Sequence, residues 1–133
     1  MNRLDLDQSG GLPLSTQILE NMQNAYRTTN ELGRLAGDKT IVSGCIEAGG
    51  VVTDGFVIIN GELLKFKGSA MSDFVVIQEV AENPRGFEDG SAKPIIYERY
   101  ATFGTADVQF AWSSFKRPWT ILHIEAKLSQ LEN

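Results

Sequence analysis

The dipeptide Asn60-Gly61 constrains this chain more than any other pair of residues. It is all that separates two apolar runs, Phe56-Val57-Ile58-Ile59 and Glu62-Leu63-Leu64-Lys65-Phe66. Two-residue hairpin loops favour the type I′ turn, whose central residues both need φ > 0, and Asn-Gly adopts it at little cost. A loop of that length also fixes the register, setting Ile59 opposite Glu62, Val57 opposite Leu64 and Phe56 opposite Lys65. One face then carries Val57, Ile59, Leu64 and Phe66, with Glu62 at the turn end. The other carries Phe56, Ile58 and Leu63, with Lys65 at its edge. A sheet with one wet face alternates apolar and polar residues, but this ribbon is apolar on both sides. Each side therefore needs a cover. Either an ordinary two-layer core supplies both covers, or a second subunit supplies one of them.

Upstream of the hairpin the periodicity is helical. Residues 1–13 are polar and glycine-bearing and read as an extended arm. Ser15 or Thr16 can cap a helix whose apolar and small residues fall at Ile18, Met22, Ala25, Thr29, Leu32 and Ala36, with Leu19, Tyr26 and Leu35 widening the stripe. Leu14 and Leu19 are spaced as a hydrophobic staple, without a capping box. The helix is expected to span 14–37, running to about Ala36 with Gly37 as its C-terminal stop. A seam containing Ala and Thr makes a weak coiled coil by itself. Such a stripe packs on a sheet, a neighbouring helix or another copy of the chain.

From residue 38 to 133 the signals are β. Candidate strands are Thr40–Ile46, Val51–Thr53, Gly55–Asn60, Glu62–Lys67, Phe74–Val80 and Pro94–Phe103, punctuated by glycines, Asn83-Pro84 and Asp89-Gly90. The segment 81–93 reads as a loop between two long antiparallel strands. Residues 104–118 are ambiguous, anchored by Phe110, Trp112 and Phe115. In 120–128 the alternation of Leu122, Ile124, Ala126 and Leu128 with His123, Glu125 and Lys127 favours a final strand, though a short helix is also compatible. The expected fold is α+β: an N-terminal helix followed by an antiparallel β-sandwich or partly closed β-barrel, in one structural domain of 133 residues.

Composition narrows the function classes. No apolar run approaches the roughly 20 residues of a membrane-spanning helix, and the opening residues lack the apolar stretch of a secretory signal, so no membrane partner is expected. One cysteine, Cys45, excludes an internal disulfide framework and a multi-cysteine zinc site. The net charge of −5 is spread along the chain without a clustered basic face, which argues against nucleic acid.

The chemical candidates are thin. Asp5-Leu6-Asp7-Gln8-Ser9-Gly10 matches the first half of a calcium loop, but Thr16 stands where the bidentate Glu belongs and Pro13 occupies position 9. His123 is the sole imidazole, whereas metal sites and nucleophile systems need imidazole in company. Asp54, Glu62, Glu98 and Glu125 offer carboxylates for glycoside hydrolysis, yet sequence gives no separations, and some pair is always imaginable among 17 acidic residues. The glycines follow no phosphate-cradling pattern. No catalytic residue, metal ligand or cofactor is therefore assigned, and the chain is read as a non-enzyme. Tyr100, Trp112 and Trp119 are the candidates for a glycan-stacking platform, which would make the chain a carbohydrate-binding module for a cell-surface glycan.

The opening MNRLDLDQSGGLPLSTQILENMQNAY, followed by IVSGC, VTDGFVIINGELLKFKG and KPIIYERYATFG, resembles small tail-associated proteins of phages and prophages, of tail-fibre or baseplate-attached type, especially those of Bacteroidetes. The likeness covers roughly residues 1–103 and is clearest over 41–68. It implies a non-enzymatic virion part, commonly trimeric, that joins a fibre to the tail by binding itself and other tail proteins. It also implies residence in the virion tail, or in the bacterial cytoplasm when expressed from a prophage. A long repetitive shaft and a C-terminal receptor-binding domain are missing, which favours an adaptor or attachment piece. The interface expected for such assembly comprises Ile18, Met22 and Ala25 on the helix and Phe56, Ile58 and Leu63 on the hairpin.

Overall fold

The computed structural model describes residues 3–5, 7–11 and 14–132. Leu6, Leu12 and Pro13, which belong to the arm and calcium-loop readings, lie outside the described residues. The described part of the arm has no regular secondary structure. Helix α1 (Thr16–Asn30) follows, capped by Ser15, whose hydroxyl accepts from the Ile18 amide at 3.3 Å. It passes into a 3₁₀ turn, Glu31–Leu35, instead of continuing as α-helix to Ala36. Thr28, Thr29, Asn30 and Gly33 are weak helix formers, and the Asn30 side chain is drawn away to the hairpin.

The fold is α+β, built on a curled, half-barrel sheet. Its strands are β1 (Thr40–Gly44), β4 (Gly55–Ile59), β5 (Glu62–Lys67), β7 (Phe74–Ala81), β10 (Tyr97–Phe103) and β11 (Phe110–Ala111), in the order β1-β4-β5-β10-β7-β11. Only β5 and β10 run parallel; the other neighbours are antiparallel. A small sheet of β2 (Glu47–Ala48), β3 (Val51–Val52) and β6 (Ser69–Ala70) lies beside it. The segment expected to be a loop contains a short pair, β8 (Arg85–Gly86) with β9 (Ala92–Lys93), which prolongs the β7–β10 ribbon.

The hairpin forms as its turn dictates. Asn60 and Gly61 have φ of 52° and 81°, and Phe56, Val57 and Ile59 face Lys65, Leu64 and Glu62. Val57, Ile59, Leu64 and Phe66 are buried in the half-barrel with Ile41, Cys45, Val52, Val75, Ala101 and Phe115.

Residues 110–116 close the half-barrel. Phe110-Ala111 pair with β7 at one sheet edge, and Lys116 bridges Thr40 of β1 at the other. Between them Trp112 stacks on Phe66 (5.5 Å between centroids) and meets Phe103 edge-on (5.1 Å), with Phe115 beside it. Its indole N–H donates to Glu47 at 3.0 Å, which joins the clasp to the small sheet.

One expected strand is a helix. Residues 121–128 belong to α2 (Ile121–Glu132). Thr120 caps it, accepting from the His123 amide at 3.1 Å, and Pro118 ends the preceding chain two residues earlier. The alternation of Leu122, Ile124, Ala126 and Leu128 coexists with a 3-4-3 spacing of Ile121, Ile124, Leu128 and Leu131. The second period governs.

Candidate assembly surface

Among the described residues, the side-chain hydrogen bonds from helix α1 to the sheet come from Asn30. The Asn30 side chain donates to the Gly61 carbonyl at 3.1 Å and accepts from the Leu63 amide at 2.7 Å, so one amide spans the hairpin turn. Just beyond it, Asp38 accepts from the amides of Asn60 (2.6 Å) and Lys39 (2.8 Å). The intervening 3₁₀ turn lies on the hairpin's outer face, where a Cβ on Gly33 would stand 3.2 Å from Ile58 Cδ1.

That placement divides the expected interface residues. Ile58 is 1% exposed and cannot meet a partner: the chain's own 3₁₀ turn covers it. Phe56 and Leu63, on the same face, remain 46% and 42% exposed. Ile18, Met22 and Ala25 are half-buried along α1, and Leu14, Leu19, Tyr26, Leu32 and Leu35 are exposed, so Leu14 and Leu19 are not sequestered as a staple. Among the described residues α1 has no buried member. A groove runs between its last turns and the hairpin tip, lined by Gln23, Tyr26, Asn30, Glu62 and Leu63.

The outer sheet face beyond the hairpin is polar and internally paired. Lys67 reaches Glu98 at 2.8 Å and lies over the Tyr100 ring at 4.0 Å, while the Tyr100 hydroxyl meets Gln78 at 2.8 Å. Hydrogen bonding to Glu98 raises the Lys67 pKa above its ordinary value. On the opposite face Arg99 binds Glu62 through its Nε at 2.7 Å and approaches Glu79 at 3.8 Å; the hydrogen bond to Glu62 is the main cause of its raised pKa.

The three aromatics considered for glycan stacking are not brought together. Tyr100 lies on the outer face under Lys67, Trp112 is packed within the half-barrel clasp, and Trp119 lies against His123 at the start of α2. The carboxylates are dispersed as well. Asp54 binds the Gly68 amide, Glu62 binds Arg99, Glu98 binds Lys67, and Glu125 is on α2. Among the described residues no three His, Cys, Asp or Glu side chains gather as a metal site, and no helix is long and apolar enough to cross a membrane.

The glycines of the IVSGC, VTDGF and KFKG segments meet at one crossing. A Cβ on Gly44 would overlap the Asp54 carbonyl, one on Gly55 the Ser43 carbonyl, and one on Gly68 the Val52 carbonyl. Asp54 locks the junction, accepting from Gly68 N at 2.7 Å through its side chain and from Cys45 N at 3.2 Å through its carbonyl. Arg117 adds a bond to the Gly44 carbonyl at 2.6 Å. These three glycines thus serve close backbone packing. Nothing in the sequence alone signalled that Asn30 and Asp38 fasten the helix to the turn, because both bonds cross more than 20 residues.

The chain matches no protein-family model, and it matches no curated protein. Among solved structures it is similar to the C24 protein from the Antarctic microorganism Bizionia argentinensis. The two are 38% identical over 82% of this chain, with a TM-score of 0.68. The match spans 40% of the C24 chain.

Proposed function

We propose that this chain is a non-catalytic assembly module that works as a homo-oligomer, and that it serves as an adaptor or attachment piece in a phage or prophage tail. The observation that carries the assembly reading is helix α1: fifteen residues with an apolar stripe, no buried member among the described residues, and one side chain, Asn30, hydrogen-bonded to the sheet. A helix of that length is marginal in water unless its stripe is covered. The half-exposed Phe56 and Leu63 continue the apolar surface onto the sheet. The tail assignment rests on the sequence resemblance of residues 1–103.

The interface is Ile18, Met22 and Ala25 with Phe56 and Leu63. Light scattering on the purified chain at micromolar concentration should give a multiple of the monomer mass, and Met22→Glu should reduce it. A monomer across that range would end the assembly reading. For the tail assignment, the chain should stay with intact tailed particles through a density gradient. Recovery only in the particle-free fraction would refute it.

A further inference from the structure

Helix α2 carries a second, separate pattern. Ile121, Ile124, Leu128 and Leu131 occupy the a, d, a and d positions of two consecutive heptads, and all four are between 43% and 82% exposed. Leu122 falls outside that seam. Among the described residues α2 buries none of its own. The flanks carry charges: Glu125 at an e position, Lys127 at g and Glu132 at the next e. In a parallel pair of helices a g residue meets the e residue five positions on in the partner, which sets Lys127 beside Glu132. In an antiparallel pair e meets e and g meets g, which sets carboxylate beside carboxylate. The charges therefore discriminate orientation as well as permit pairing.

We infer that α2 is a parallel coiled-coil segment whose occupant is α2 of another copy of this chain. The inference deepens the assembly reading and rests on it. Two heptads are too short to associate strongly alone, so α2 acts with the α1 and hairpin surface and fixes the orientation of the copies. Parallel helices at the C-terminal end require cyclic symmetry, with the half-barrels side by side around one axis. In the single chain Lys127 lies 5.9 Å from the Trp119 ring, close enough for the ammonium to exchange that ring for a partner carboxylate.

The test uses the full chain and sedimentation across micromolar concentrations. Leu128→Glu should weaken assembly while far-ultraviolet circular dichroism keeps the sheet signal, because Leu128 touches no core. Lys127→Glu places like charges at every g–e contact and should weaken assembly about tenfold, as should Glu132→Lys. The double variant K127E/E132K should restore the wild-type affinity. If the double variant is no stronger than either single one, the parallel pairing is wrong. If Met22→Glu dissociates the protein and Leu128→Glu does not, the α2 inference fails while the assembly reading stands. A monomeric wild type overturns both.

Discussion

Substituting Gly68 by Ala should cost this protein about 3 kcal/mol, although the same change is often mildly stabilising elsewhere. The backbone angle of Gly68 is not in the left-handed region, so by conformation alone alanine is acceptable and would gain about 0.4–1 kcal/mol through the unfolded chain. The contacts decide otherwise. The added methyl would overlap the Val52 carbonyl and come within 2.6 Å of Thr53 C and 2.8 Å of Asp54 N, all of them backbone atoms that cannot rotate away. Overpacking of that kind costs about 1–3 kcal/mol. Moving the turn aside also strains the Asp54–Gly68 bond at 2.7 Å, a hydrogen bond to a charged group worth about 1.5–3 kcal/mol. The loss corresponds to a fall in Tm of about 12 °C, at about 4 °C per kcal/mol for a domain of this length. Gly86→Ala is the matched control: Gly86 has open space around its missing Cβ and an ordinary φ, so its variant should stay within about 0.5 kcal/mol of wild type or be slightly more stable. Urea titration followed by tryptophan fluorescence measures both. If Gly68→Ala matches Gly86→Ala, the crossing is not packed as described.

Asn30→Ala should remove the amide that spans the hairpin turn, leave the Leu63 amide and Gly61 carbonyl short of a partner, and cost about 1–3 kcal/mol. In the same variant α1 should exchange its amide hydrogens faster while β10 keeps its protection. Asn60→Ala forces a non-glycine, non-asparagine residue to φ near 52° and should lower stability by about 1 kcal/mol, measured by the urea midpoint. Burial pushes the Cys45 thiol above its ordinary 9.0, with Arg117 opposing and Asp54 assisting. The folded chain therefore keeps a proton that the unfolded chain releases above 9.0, so this contribution is fully present below that pH and is lost as pH rises through the higher folded value. Cys45→Ala should decline less steeply at alkaline pH than wild type, and Cys45 should react with thiol reagents only when the protein unfolds.

Local signals with a single physical solution were the legible ones. Asn60-Gly61 admits one tight turn, that turn admits one register, and of the two cap candidates, Ser15 and Thr16, Ser15 caps α1. The α+β class followed from the change of period at residue 38. What was hidden depended on distant partners or on competing periods. Ile58 looked available because the sequence does not say that Gly33 would come to rest on it. Trp112 looked like a platform because its neighbours Phe66 and Phe103 are remote in sequence. Residues 120–128 satisfy both a strand alternation and a heptad, and the cap at Thr120 following Pro118 was the signal that separates them. The parallel pairing of β5 with β10 depends on a crossover through β7, which no local pattern encodes.

The central claim is that copies of the chain cover one another's exposed helices. Hydrogen exchange measured at a series of protein concentrations tests it directly. The amides of Thr16–Asn30 and Ile121–Glu132 should be protected at high concentration and lose protection on dilution, while Val57, Phe66 and Ala101 stay protected throughout. Exchange of both helices at the rate of free peptide at every concentration would contradict the account.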